Sequence, residues 1–595
     1  MITDAGRVPI GRRAWIGAGR HGASLAPDGT IDWYAAGGLT APPDLRRLLD
    51  GAGPALRVGP VREGSGAGRH LPATEMHYRP GTGIVETRSD GGAGRQLQVV
   101  DFVPAGGEGG VVRLVRALAG PVDVEVEVMV ARSSRDAAPS GTGLVMDRLA
   151  VHAPGLFESA PLDRDTPRWR AVIRLDTGEE MAVSAGRETP VGTDQARRML
   201  SDAEAAWRGW LGPVVVGGPY RAAVERALVS VKALTGPSGA PAAAGTTSLP
   251  RRVGSERSSD DRWIRVRDVA RAVDVLARAG LAEDAEAAEA WLRRAVTEAD
   301  RPVPTWLDPD GQPVPEPEEL PYEGWRRSQP VSSGRAPLID VGLIGAITAA
   351  VGASMRGPGG RADDPGPLSA AFDAVAEATD WAADHWSAPD AGRWEIERPP
   401  RLYVAGRISV CTALDRMARL ARAANPLDLR AVAWQQERRG ILSWLEADAV
   451  AADGGLRMDP GSEQADAALL AALPDGPWPA AHPVVVATVE RVLDRLSSDR
   501  LLYRYSDQVA DERSGPDLPD LQASLEAVRA LAGARRWEEA HDRMERVVGL
   551  LEGAGPGLLA ETADPLSGEL YGNFPSTAAA LALVDAALAL EAGPR

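Results

Sequence analysis

Ile264-Arg-Val-Arg-Asp-Val-Ala-Arg-Ala-Val-Asp-Val-Leu-Ala-Arg-Ala-Gly280-Leu-Ala-Glu-Asp-Ala-Glu-Ala-Ala-Glu-Ala-Trp-Leu-Arg-Arg-Ala-Val-Thr297 reads as two helices laid end to end. The helical period runs over 264–280 and again over 284–297, with only Leu281 to Glu283 between them. So short a link folds the second helix antiparallel onto the first. From residue 219 the same period marks twelve segments: 219–234, 264–280, 284–297, 338–354, 367–386, 407–424, 428–448, 463–472, 482–497, 517–532, 536–553 and 576–591. Connections after the odd-numbered segments are long. Those after the even-numbered ones are shorter, as at Asn425 to Leu427. Six such hairpins closed into a ring form an (α/α)6 toroid, and every long connection then emerges on one rim. Long loops on a rigid scaffold are where function concentrates.

Upstream the period changes to two. Val122-Asp-Val-Glu-Val-Glu-Val-Met-Val130 alternates strictly, which predicts a strand with one buried and one solvated face. Asp28-Gly29 between Ala23-Ser-Leu and Thr30-Ile-Asp-Trp33 signals a hairpin. Gly83–Arg88 and Gln96–Val103 are further strands, and short strands split by glycine-rich turns suggest a β-sandwich. The expected organisation is therefore multidomain β + α: an N-terminal β-sandwich over 1–190, a helical linker over 191–218 with Thr193 as N-cap, and the toroid over 219–595.

Composition narrows the function. The chain has 595 residues, 44% hydrophobic and 25% charged, and a net charge of −17, which disfavours nucleic acid as a partner. The 66 basic residues are nearly all arginine, Lys232 being a rare exception. One cysteine, Cys411, excludes an internal disulfide and a cysteine-rich metal site; it sits in an apolar helical run as an inert core thiol. The N-terminus lacks the apolar core of a signal peptide and no apolar run is long enough for a membrane span, so the expected location is cytoplasmic.

Two carboxylates stand out. Glu395, in Trp394-Glu-Ile396, lies in the connection after the fifth segment; Glu561, in Gly557-Leu-Leu-Ala-Glu-Thr-Ala-Asp-Pro565, lies in the one after the eleventh. Both therefore belong to one rim. Two carboxylates on separate loops around one pocket are what acid/base cleavage of a glycosidic bond requires. Asp564 and Glu569 compete with Glu561 for the base role, and each of these residues also reads as an ordinary loop carboxylate.

In the order of its motifs the chain resembles glycoside hydrolase family 15, in the bacterial form with an N-terminal β-sandwich. The resemblance covers nearly the whole length. It is carried by Ile16-Gly-Ala-Gly-Arg20, Asp28-Gly-Thr-Ile-Asp-Trp33, Thr246-Thr-Ser-Leu-Pro250, Val266-Arg-Asp268, Trp394-Glu395, Ala413-Leu-Asp-Arg416 and Gly572-Asn-Phe-Pro575. It implies an inverting, exo-acting α-glucosidase of the glucoamylase kind, working on short oligosaccharides or disaccharides without metal or cofactor. A trehalase is the alternative. The tryptophan-linked glutamate of the family, its general acid, falls on Glu395, and the late-loop base on Glu561. The arginine-aspartate pair that binds the sugar falls on Arg267 and Asp268, where Asp268 also reads as a helix-start residue favoured by the dipole. Trp394, Trp325, Arg401 and Tyr403 complete the expected sugar-binding set, Trp325 reading equally as packing under its own loop. The acid must hold its proton near neutrality, and inversion needs the two carboxyls roughly 6.5–9.5 Å apart to admit a water.

The chain departs from the pattern around these positions. Ser258-Ser-Asp-Asp-Arg262 stands for Asn-Trp-Asp-Tyr-Arg, Arg265 for a tryptophan, and Glu397 for an arginine. Arg401-Leu-Tyr403 stands for Arg-His-Phe. Ser514-Gly-Pro-Asp517 through Gln522-Ala523 replaces an acidic, aromatic-rich element. After Gly572–Pro575, Ser576, Ala579 and Ala580 replace Gln and Ser-His. Lost stacking and hydrogen-bonding groups bear on how a sugar is held. A weak or inactive carbohydrate-binding member is a second expectation. A phosphorolytic enzyme, with Arg326, Arg327 and Arg335 as its anion site, is a third.

Overall fold

The computed structural model describes residues 8–593 apart from 62–73, 107–109, 131–136, 141–142, 147, 164–165, 253–257, 331–337, 355–367, 397 and 507–517. Strands between Ala14 and Ala185 make two antiparallel sheets, of seven and eight strands among the described residues. The Asp28-Gly29 turn closes the hairpin His21–Leu25/Thr30–Tyr34, with Gly29 at φ +80°. Val122–Met129 is a strand, yet beyond Asp123 its polar face does not meet solvent. It lies inside the seven-stranded sheet between Ala55–Pro60 and Thr166–Leu175. Its Glu125 and Glu127 are buried and paired with Arg57 (3.1 Å) and Arg168 (2.7 Å). Alternation shows that two faces differ; it does not say whether the polar one meets water or opposite charge.

Helix α1 (Thr193–Leu211) starts after Gly192, with no side-chain cap, and lays Ala196, Leu200 and Ala203 against Ile84 and against Phe102 and Val112 of the eight-stranded sheet. Twelve further α-helices follow among the described residues: α2 (Arg221–Ala233), α3 (Val266–Ala279), α4 (Ala282–Glu298), α5 (Leu343–Ser354), α6 (Leu368–His385), α7 (Val404–Ala424), α8 (Leu429–Trp444), α9 (Ala468–Ala472), α10 (Pro483–Leu496), α11 (Leu521–Gly533), α12 (Trp537–Ala554) and α13 (Thr577–Glu591). Helices α3, α5, α7, α9, α11 and α13 pack successively on one another, and α13 returns to α3. That closes an inner ring. Around it α4 packs on α3, α8 on α7, α10 on α9, α12 on α11 and α2 on α13, while α6 packs on α4, α5 and α7. The domain is an (α/α)6 toroid.

Inner helices start at the rim. Expected starts at 338 and 463 move to Leu343 and Ala468, because Asp340 and Asp466 fold back onto the amides of Gly342 (3.0 Å) and Ala468 (2.9 Å). Helix α13, Thr-Ala-Ala-Ala-Leu-Ala-Leu-Val-Asp-Ala-Ala-Leu, is buried almost all round, as a helix with neighbours on every side must be. Helix α3 differs. Val266, Val269, Val273 and Leu276 enter the wall, whereas Arg267, Asp268, Arg271, Asp274 and Arg278 face the axis of the ring.

Each long connection runs from an outer helix to the N-terminus of the next inner one, so these N-termini encircle one rim. The β domain is fastened to the toroid by polar contacts. Arg226 of α2 lies 3.5 Å from the centroid of the Tyr78 ring and donates to Thr82 O, and Arg262 donates to Leu39 O and Ala41 O. Asp284 of α4 accepts from Trp210 Nε1 of α1 (2.8 Å) and from Lys232 Nζ of α2. No helix among the described residues is long and apolar enough to cross a membrane.

Candidate active site

Glu395 sits at the tip of a loop whose ends pair through reciprocal amide–carbonyl bonds between Asp390 and Arg401. Its φ of +52° is a conformation that side-chain-bearing residues rarely hold, and such residues persist where the surroundings over-determine them. The surroundings here are specific. Trp306 Nε1 donates to both carboxylate oxygens, at 2.9 and 3.0 Å, in a buried setting. Neighbouring Trp394 donates its own Nε1 to Asp466 Oδ1 at 2.7 Å, and Arg393 and Arg504 lie over its ring. Burial raises the Asp466 pKa to about 6, against the lowering effect of the Trp394 and Ala468 bonds. Asp390 is likewise raised to about 6, by burial first and then by Asp340, against the pull of Arg407.

Glu561 precedes a two-residue strand, Thr562–Ala563, paired with Leu570–Tyr571. Its Oε1 accepts from Arg251 Nη1 and its Oε2 from the amide of Asn573 at 2.8 Å. Arg251 bonds Asp520 as well. The motifs Thr246–Pro250 and Gly572–Pro575 interlock beneath it: Asn573 donates to Ser259 O and Asp261 Oδ2 and accepts from Leu249 N, while Phe574 N donates to Thr246 Oγ1. Gly572, at φ +86°, has no room for a side chain, since an added Cβ would stand 2.5 Å from Glu561 Oε2.

The two loops meet at one cavity of about 70 Å³. Glu561, Arg251, Asp520, Asp268, Trp394 and Trp306, the tryptophan that holds Glu395, are among the residues lining it. Asp564 and Glu569 lie elsewhere: Asp564 accepts within its own turn, and Glu569 pairs with Arg326 and Tyr571. Arg265, in place of the expected tryptophan, sets its guanidinium 5.6 Å from the Trp306 ring centroid and donates to Arg393 O at 2.9 Å.

The remaining expected residues separate. Asp268 lines this cavity and also a larger one of about 450 Å³ along the toroid axis, whereas Arg267, ion-paired with Asp340, lines only the larger. Burial outweighs four nearby arginines, Arg265 first, and raises the Asp268 pKa. Trp325 is fully buried, edge-on to Tyr571 and covered by Arg326, and lines neither cavity. Arg401 pairs with Asp459, and Tyr403 receives a 2.9 Å hydrogen bond from Arg398 Nε; both stand behind the Glu395 loop, away from the two cavities. Glu397, Arg335 and Ser514–Asp517 lie outside the described residues. Arg326 is engaged by Glu569 and Tyr571. No group of three or more His, Cys, Asp or Glu side chains among the described residues is placed to hold a metal. Burial pushes the Cys411 thiol up to about 12. Arg251, Trp306, Asp520 and Arg504 escaped the sequence analysis, the only signal being that Arg251 follows Thr246–Pro250 directly.

The sequence model for glycosyl hydrolases family 15 matches residues 218–540, more than half of the chain. The chain belongs to glycosyl hydrolases family 15. A trehalase of Thermoplasma volcanium is 24% identical over 99% of this chain and 95% of its own length, and one of Mycobacterium tuberculosis 27% over 97% and 89%. A trehalase of Mycolicibacterium smegmatis is 29% identical over 70% of this chain, a match spanning 63% of that protein. The crystal structure of a bacterial glucoamylase complexed with acarbose shares the fold, with a TM-score of 0.71, 12% identity, and coverage of 98% of this chain and 94% of that one. Within family 15, the chain is a divergent glycoside hydrolase with an N-terminal antiparallel β domain and a helical toroid.

Proposed function

We propose that the chain is an inverting α-glucoside hydrolase for a disaccharide, with trehalose as its first candidate substrate. The observation that carries this is the rim cavity lined by Glu561 and by Trp306 and Trp394, the tryptophan that bonds Glu395 and the one that precedes it; Glu395 itself stands behind Trp306. Glu395 acts as general acid, giving its proton to the glycosidic oxygen as the C1–O bond breaks. Glu561 acts as general base, taking a proton from the water that attacks C1 from the opposite face. Trp306 orients the acid. Arg251 and the Asn573 amide hold the base, and Asp268 is placed to receive hydroxyls of the cleaved glucose. The trehalase relatives named above favour this choice over a glucoamylase.

Anomer-resolved NMR tests this. Trehalose attacked with inversion yields one β-glucose from the attacked ring and one α-glucose from the leaving ring, in equal initial amounts. Glu561→Gln or Glu395→Gln should lower kcat at least a hundredfold. Unchanged turnover in either variant would remove that residue from the mechanism. Faster release from maltose, isomaltose or maltotriose would replace trehalose as substrate. One observation favours a catalytically weak, carbohydrate-binding member instead: both Glu561 oxygens are engaged in a cavity well below the few hundred Å³ of ordinary small-molecule sites. Saturable calorimetric binding of trehalose with no product after prolonged incubation would establish that alternative.

A further inference from the structure

The larger cavity, of about 450 Å³, falls within the ordinary size range of small-molecule sites. It is an axial well. From Asp268 to Arg278 it follows α3 for ten residues, about 15 Å at the helical rise. Its other walls are small side chains of neighbouring inner helices, such as Ala346 and Ala349 of α5, Thr412 of α7 and Ala471 of α9, which leave open space where a packed core would place larger ones. The well deepens toward the rim. Near the far ends of the inner helices the Asp475 and Arg278 side chains are 48% and 38% exposed, whereas the Glu526 side chain at the inner end is 3% exposed. Entry is therefore from the face opposite the catalytic loops, and Asp268 and Gln522 form the partition shared with the rim cavity.

The floor has unmet hydrogen-bonding capacity of both kinds. Glu526 Oε2 is a buried acceptor and Arg393 Nε a buried donor, each without a protein hydrogen-bond partner at that atom. Most other charges in the well are already matched: Arg267 with Asp340, Arg271 and Arg393 with Glu526, Arg278 and Arg529 with Asp585. A fully deprotonated anion cannot donate to the Glu526 carboxylate, and a metal cation or alkylammonium cannot accept from the Arg393 guanidinium. Hydroxyl groups do both. We propose that the axial well is a ligand site separate from the acid/base rim, and that it takes a neutral polyhydroxylated small molecule, a monosaccharide or a polyol. Its hydroxyls bond Glu526 and Arg393, which line this cavity and not the rim one, and its carbon skeleton lies along the alanine-lined wall. The site stands whether or not the rim hydrolyses trehalose.

Isothermal titration of the full chain with D-glucose and with sorbitol tests it, using Ala349→Phe and Thr412→Phe to fill the well from two walls and Trp306→Ala to alter the rim. At least one probe should bind saturably. Its Kd should rise tenfold or more in each well variant that retains the native melting temperature, and change less than twofold in Trp306→Ala. If neither probe binds, if a folded well variant binds as the native chain does, or if Trp306→Ala weakens binding as much as the well variants, the proposal fails. Inorganic phosphate binding more tightly than either probe, with the same sensitivity to Ala349→Phe, would overturn the neutral ligand class.

Discussion

Gly572 shows how closely one position can govern a carboxylate. With φ at +86° and Glu561 Oε2 where a Cβ would stand, Gly572→Ala must both strain the backbone and displace Glu561, the proposed base. The expected outcome is a loss of about 1–3 kcal/mol in urea unfolding, together with a fall in kcat of at least tenfold, since sub-ångström misplacement of reacting groups is costly. Asp466 makes the opposite kind of case. Burial raises its pKa to about 6 from 3.8, so the folded state holds a proton that the unfolded chain releases between about pH 4 and 6. Stability contributed by that proton is present below pH 4 and lost as pH rises through 6. Asp466→Asn keeps an acceptor for Trp394 and avoids the buried charge. Its stability relative to the native chain should therefore improve by about 2–3 kcal/mol between pH 4 and pH 7.5, measured by urea denaturation.

At the scale of elements, Asp520 joins a helix to the site. Its Oδ1 caps α11 through Ala523 N at 2.7 Å, and its Oδ2 holds Arg251, which holds Glu561. Asp520→Asn preserves the cap and gives up the ion pair, whereas Asp520→Ala gives up both. The alanine variant should melt lower, by an amount equivalent to about 1 kcal/mol, while turnover of the proposed substrate falls in both. The sequence shows the helices and the alternation of loop lengths because these depend on local period and chain length. It also offers Glu395 and Glu561 as candidates, each beside a recognisable neighbour. It does not show what holds them. Trp306 lies 89 positions from Glu395 and Arg251 lies 310 from Glu561, separations that only the closed ring brings to contact. The buried Glu125 and Glu127 were hidden for a related reason, since their partners belong to strands far away in sequence.

Across the whole molecule, charge is carried inward as well as outward. Asp585 accepts from Arg278 and Arg271 and pairs with Arg529 at the open end of the axial well. Burial alone would raise its pKa, but Arg529, Arg271 and Arg278 together hold it at about 2. A depressed carboxylate contributes stability above its unfolded pKa and loses it as pH falls. This group should account for about 2 kcal/mol lost between pH 4 and pH 2. Acid unfolding of Asp585→Asn, followed by circular dichroism, should lack that component and start from a lower stability at pH 7.

Lys232, clasped by Asp284 where α1, α2 and α4 meet, is the only lysine in the sequence. The arginines that crowd the rim and the well are inert to amine-selective reagents, and Cys411 is buried. Apart from the α-amine, an acylating dye or an activated resin therefore has a single side-chain target, on neither cavity. The fold thus offers a built-in handle by which the molecule can be tethered in one orientation with both mouths of the toroid open.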